Sequence, residues 1–191
     1  MQQALKSIIH HHTEALNGSF DAARMTILDS MARESLKAFK SGKKILLCGN
    51  GGSAADSQHI AAEFIARFKK ERRSLPAIAL TTDTSVLTAI GNDYNYDVVF
   101  SRQVEGLGQA GDLLIAISTS GNSKSVLEAV RQAKHQQLVT LGFTGKDGGI
   151  LKNIVDICYQ AQSTATSHIQ EMHITALHAL SEVVENVLFG S

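Results

Sequence analysis

Residues 44–64 read KILLCGNGGSAADSQHIAAEF, and this stretch decides the fold. It opens with a short apolar run, Lys44–Cys48, of strand length. The run closes on Gly49-Asn-Gly-Gly-Ser53, and a helical pattern then continues through Phe68. A buried strand feeding a glycine-rich turn and then a helix is the repeating unit of a parallel sheet.

The same grammar recurs outward from there. Further apolar runs lie at Ala77–Leu80, Leu113–Ile117, Val139–Phe143 and Ile154–Tyr159. Helical spacing appears between most of them, at Thr84–Ile90, Val98–Leu107 and Ser123–His135, and a last helix spans about Thr166 to Leu188. Upstream, two helices fill the first forty or so residues, separated by Asn17-Gly18 and closed by Ser41-Gly42. The expected architecture is α/β: a three-layer αβα sandwich around a five-stranded, mostly parallel sheet, with an N-terminal helical hairpin. Pro76 is the sole proline and no linker-like segment interrupts the chain, so residues 1–191 read as one domain.

Composition narrows the function by exclusion. The 191 residues carry 18 basic and 18 acidic side chains, a formal net charge of zero. Such a chain has no global field for nucleic acid or an anionic membrane, so any bound anion must be caught locally. The first twenty residues lack the apolar core of a signal peptide, and no apolar run approaches the ~20 residues of a membrane span. A cytoplasmic location is expected, with Cys48 and Cys158 as free thiols in apolar strands.

Ligands of such sheets bind beyond the carboxyl ends of the strands. Two loops in that position are polar. Ile117-Ser-Thr-Ser-Gly-Asn-Ser123 gathers the hydroxyls of Ser118, Thr119, Ser120 and Ser123 around a glycine, before a helix. Hydroxyls and free amides at a helix N-terminus hold a phosphate without a lysine. The loop has neither a Walker lysine nor dinucleotide glycine spacing, so no nucleotide cofactor is expected. A plain helix cap would need one hydroxyl, not four. The second loop offers Asn50, Gly51, Gly52 and Ser53; alone it reads equally well as a tight turn.

His59 and Glu63 share one helix face at spacing i,i+4. The pair fits a solvated ion pair, an acid–base couple or two metal ligands. The last helix carries Gln170, Glu171, His173 and His178. Gln170 and His178 are separated by about 12 Å along the axis and about 80° around it. They meet only on a ligand lying between them, or at a site shared between subunits. Arg67 follows Glu63 by one turn and is a better site candidate than Lys69, Lys70, Arg72 and Arg73, which read as a basic helix C-terminus. His10, His11 and His12 are consecutive, point in different directions, and read as a solvated segment.

Taken together, CGNGGSAADSQHIAAEF, LTTDTSVLTAIGNDYNYDVVFSRQVE, AISTSGNS, FTGKDGG and HIQEMHI resemble the phosphoheptose isomerase branch of the SIS-domain family, in family order over nearly the whole chain from about residue 20. The resemblance implies a flavodoxin- or Rossmann-like SIS fold and conversion of sedoheptulose 7-phosphate to glycero-manno-heptose 7-phosphate through an enediol. That is the first step towards the heptose of the lipopolysaccharide core. It makes Glu63 the base and His178 its acid–base partner. It gives Ser118, Thr119, Ser120 and Ser123 the phosphate, and Asn50, Gly51, Gly52, Asn92, Asp93 and Gln170 other substrate contacts; Ser53 and Arg67 join the expected contacts from their place in the loop and on the helix. It implies one zinc per subunit on His59, Glu63, Gln170 and His178. It also implies a homotetramer packed through residues 1–42, with sites at subunit interfaces. One position departs: His168 stands where the family usually has arginine.

Two readings from other classes compete. One is a non-enzymatic tetrameric regulator that binds the bacterial replication initiator; Glu63 with His178 argues for catalysis instead. The other is a phosphosugar sensor without turnover, which would need a DNA-binding module that this chain has no charge to supply.

Overall fold

The computed structural model describes residues 1–190. In chain order the elements are α1 (Gln2–Ser19), α2 (Ala22–Lys40), β1 (Ile45–Gly49), α3 (Gly52–Ile65), β2 (Ala77–Ala79), α4 (Thr84–Asp93), a 3-10 turn (Tyr96–Val98), α5 (Ser101–Leu107), β3 (Leu113–Ile117), α6 (Lys124–His135), β4 (Val139–Gly145), α7 (Leu151–Ile154), β5 (Ile157–Ala161) and α8 (Thr166–Phe189). The five strands form one sheet in the order β2-β1-β3-β4-β5. Every pairing is parallel, so the expected mostly parallel sheet is wholly so.

Strand side chains alternate between two cores, as period two requires. Ile45, Leu47, Leu113, Ile115 and Ile117 face the core shared with α2, α3 and α8. Leu46, Cys48, Leu114 and Ala116 face the other, shared with α5, α6 and α7. All nine are fully buried, and burying each large aliphatic side chain contributes about 1.5–3 kcal/mol. The three layers follow. Cys48 and Cys158 are free thiols, and burial pushes the Cys48 thiol up to about 12.

Several element boundaries differ from the sequence expectation, each for a local reason. Helix α1 runs through Gly18 to Ser19 instead of breaking at Asn17-Gly18. Gly18 lies where α1 passes close to Gln162, whose Cβ would stand 3.3 Å from a side chain there. The break falls at Asp21, which accepts the Arg24 amide and caps α2. Helix α3 stops at Ile65, not Phe68. The carboxylate of Glu185 on α8 accepts the Phe68, Lys69 and Lys70 amides. Arg72 donates to the carbonyls of Glu63 and Phe64. These side chains replace the next helical turn. The helix expected over Val98–Leu107 splits, because Val99 and Phe100 are drawn into the core. Residues 151–154 form a helical turn, and β5 begins only after Asp156, whose carboxylate holds the Thr140 amide and hydroxyl.

Candidate active site

The chain leaves β1 towards β2 on one side and β3 towards β4 on the other, so β1 and β3 flank the topological switch point, where ligands bind in this architecture. The two polar loops follow these two strands. They are tied together: Asn50 Nδ2 donates to Ser125 Oγ at 3.0 Å, and Tyr96 Oη donates to Asn50 Oδ1 at 2.8 Å.

The hydroxyl loop is shaped for an anion. Ser123 occupies the cap position of α6, yet its side chain makes no capping bond; Ser118 Oγ donates to it instead at 3.2 Å. Ser123 is therefore not a side-chain cap, while Ser118 Oγ and Ser120 Oγ accept the amides of Ser123 and Asn122 within the loop. Gly121 adopts φ +68°, which favours glycine, and a side chain there would collide with the backbone of Gly148 and Gly149. The residue 143–151 segment buttresses the loop from behind. Gly145 N donates to Thr119 O, Leu151 N to Gly121 O, and Ile150 N to Asn122 Oδ1. Among the described residues, the first-turn amides of Lys124 and Ser125 have no carbonyl partner, as expected at an open helix start.

Helices α3 and α8 run side by side in the same direction. Gly52 meets Gln170 at one level and His59 meets His178 a further two turns along. His59 Nε2 and His178 Nε2 face each other at 2.9 Å, and His59 Nε2 lies 3.3 Å from Glu63 Oε1. Ligand atoms of all three residues fall within 4.8 Å of one another. Burial, then the neighbouring His59, hold the His178 imidazole below its ordinary range, against the upward pull of Glu63. His178 is therefore neutral near pH 7 and presents a lone pair. Two imidazoles and a carboxylate converging on one point form a proton-transfer couple or a divalent-cation site.

The remaining sequence-predicted residues divide into those near this point and those elsewhere. Gln170 packs its amide on Gly52, where a Cβ would stand 2.6 Å from Nε2. It borders the glycine loop, on the same helix as His178; the other three expected metal ligands, His59, Glu63 and His178, are gathered. Ser53 is buried in the first turn of α3, its amide bonded to Asn50 O. Gly51 takes φ +56° at the turn. Asn92 and Asp93 pair with each other on the exposed end of α4. Arg67 is exposed and leans towards Glu71 at 3.8 Å, not towards Glu63.

The SIS-domain family model matches residues 3–145. The chain is 53% identical over 182 residues to a phosphoheptose isomerase of Roseiflexus, covering 92% of each. The chain belongs to the phosphoheptose isomerase branch of the SIS-domain family. The phosphoheptose isomerase structure from Neisseria gonorrhoeae superposes with TM-score 0.92 at 40% identity, covering 97% of this chain and 98% of that one. That from Francisella tularensis gives 0.93 at 32% identity, with the same coverage. The chain is a sugar-phosphate isomerase.

Within this isomerase, sequence reasoning passes over two residues. Asp56 stands one turn before His59. Its Oδ2 is buried without a partner, and burial pushes its carboxyl up to about 6 despite His59 nearby. Its place between Ser53 and His59 on α3 is the only signal the sequence offers. Arg72, read as part of a basic helix end, is buried against Glu185 at 2.9 Å and holds the carbonyl of Glu63 itself. The expected site arginine, Arg67, is outside; the buried one supports the helix that carries Glu63.

Proposed function

We propose that this chain converts D-sedoheptulose 7-phosphate to D-glycero-D-manno-heptose 7-phosphate through an enediol, the entry step to the heptose of the lipopolysaccharide core. The observation that carries the reading is the convergence of His59, Glu63 and His178 beside an uncharged hydroxyl loop at the switch point. Ser118, Thr119, Ser120 and Ser123, with the open amides of α6, hold the distal phosphate. Asn50, Gly51, Gly52, Ser53 and Gln170 line the path from that phosphate to the cluster. Arg67, Asn92 and Asp93 stand further out and complete the substrate contacts only when a partner subunit or a closing movement brings them in.

Ketose–aldose interconversion moves one proton between C1 and C2 and another between their oxygens. Glu63 takes the carbon-bound proton from C1 and returns it to C2. His178, neutral at working pH, relays the proton between O2 and O1. The phosphate clamp fixes the far end of the substrate, so that these two groups meet the correct carbons.

The donor set fits a divalent cation: two imidazole nitrogens and a carboxylate already converge without an intervening cationic side chain. Zinc, one per subunit, would be held by His59, Glu63 and His178, with Gln170 as the expected fourth ligand, and would supply Lewis-acid polarisation of the substrate oxygens. A carboxylate has two oxygens, so Glu63 can face the cation with one and the substrate proton with the other.

We also read the chain as a single SIS domain that works as a cytoplasmic homotetramer. Leu5, Ile8 and Ile9 on α1 are more than half exposed, and they support packing of residues 1–42 against other copies. No helix among the described residues is long and apolar enough to cross a membrane. The test is an isomerase assay on sedoheptulose 7-phosphate, with and without chelator. Turnover supports the reading, and its loss with chelator supports the cation. No turnover under either condition would refute it in favour of a binding role.

A further inference from the structure

A second cluster of metal-type ligands lies apart from the one described. His168 and Glu171 are three residues apart on α8, hence on one face. His12 reaches them from α1: its Nδ1 lies 2.7 Å from Glu171 Oε2, and its ring meets that of His168 edge to face at 5.7 Å. The ligand atoms of the three residues lie within 4.8 Å of one another. Of the three consecutive histidines, all expected to be solvated, His12 is thus engaged across the helix junction. Glu171 precedes His178 by seven residues, about 10 Å along α8, so the two clusters are separate.

We propose that His12, His168 and Glu171 form a second divalent-cation site, for a late first-row transition ion of the zinc, cobalt or nickel kind. Two imidazoles and one carboxylate are the donor set such ions select over magnesium or calcium. Bonds of about 2.0–2.1 Å place neighbouring ligand atoms about 3.4 Å apart in a tetrahedron. The 2.7 Å pair opens slightly and the longer separations close by rotation of side chains that are a third to a half exposed. His168 also borders the open cleft lined by His11 and Glu14, so water reaches the remaining coordination position. The site gives the ion a structural task. Only Ala15 and Ser19 of α1 are buried, so the N-terminal helix is lightly held, and a cation bound by both helices would fasten it to α8. This inference does not depend on the isomerase reading.

The test uses the full chain stripped of metal and titrated with Co2+, following the ligand-field absorption and the bound cobalt per chain. The double variant His59→Gln/His178→Gln removes the other cluster. In that background we expect one Co2+ per chain, lost when His168→Arg or Glu171→Gln is added. Arginine keeps a cation beside Glu171 but brings no lone pair to an ion. Should His168→Arg fail to fold by circular dichroism, His12→Gln is expected to give the same loss. Absence of cobalt in the double variant, or a stoichiometry that these additions leave unchanged, would overturn the proposal.

Discussion

The Nε2 atoms of His59 and His178 face each other at 2.9 Å, from two helices that run in the same direction off the same end of the sheet. Neighbouring imidazoles cannot both carry a proton at that distance without repulsion. Burial first, and then His59, hold His178 below its ordinary range, and Glu63 opposes them.

The two neighbours should move the His178 titration in opposite directions. In His59→Gln the imidazole of His178 is expected to titrate at higher pH than in the parent chain, because one downward influence is gone. In Glu63→Gln it is expected to titrate lower. NMR titration of the His178 ring in the metal-free chain reads both. Shifts of the same sign in the two variants would contradict this arrangement.

The phosphate loop makes a separable prediction. Thr119→Val keeps the shape of the side chain and removes one hydroxyl. A hydrogen bond to a charged group is worth about 1.5–3 kcal/mol, so KM for the sugar phosphate should rise roughly 10- to 100-fold with kcat little changed. The thermal midpoint should stay where it is, since the Thr119 contact in the loop is through its backbone carbonyl. An unchanged KM would place the phosphate elsewhere.

His173 contributes an acid-sensitive component of stability, opposite in sign to that of Asp56, whose carboxyl is raised to about 6. It is fully buried, Nε2 donates to Thr144 O at 2.9 Å, and Nδ1 has no partner. Burial pushes its imidazole down to about 4, against the ordinary 6.5. The unfolded chain therefore binds the proton more readily. Stability is full above pH 6.5 and falls as pH drops towards 4, by up to about 3 kcal/mol from this group. His173→Gln should flatten the slope of unfolding free energy across that window, measured by denaturant titration. A slope unchanged by the substitution would move the origin of acid sensitivity to another group.

The Arg72–Glu185 pair is expected to matter for stability and for Glu63. Both side chains are almost wholly buried, at 1% and 2% exposure. Removing one partner strands the other, which costs about 3–5 kcal/mol. Glu185→Ala should lower the unfolding free energy by that order. It should also depress kcat in the surviving folded fraction, because Arg72 then loosens from the Glu63 carbonyl.

The sheet and both ligand loops were legible because parallel strands buried on two faces are continuous apolar runs, and Gly49–Ser53 and Ser118–Ser123 interrupt them with polar residues; the strand order was not. The His59–Glu63 spacing was legible because it lies within one helix. What escaped depends on contacts between distant parts of the chain. Glu185 ends α3 from more than a hundred residues away, so neither the stop at Ile65 nor the burial of Arg72 shows locally. His12 looked solvated because its partners, His168 and Glu171, lie at the other end of the sequence. Gln170 could not be placed by helix geometry alone. The structure sets its amide against Gly52, a neighbour that only the parallel course of α3 and α8 creates.

The most direct test of Glu63 as the base is the turnover of sedoheptulose 7-phosphate by Glu63→Gln, measured alongside binding of the same sugar phosphate. Glutamine keeps the size and removes the proton acceptor. Turnover should fall by about 10²- to 10⁴-fold, with binding nearly intact because the loop proposed to hold the phosphate is a different one. Turnover equal to that of the parent chain would contradict the assignment and remove Glu63 from the chemistry.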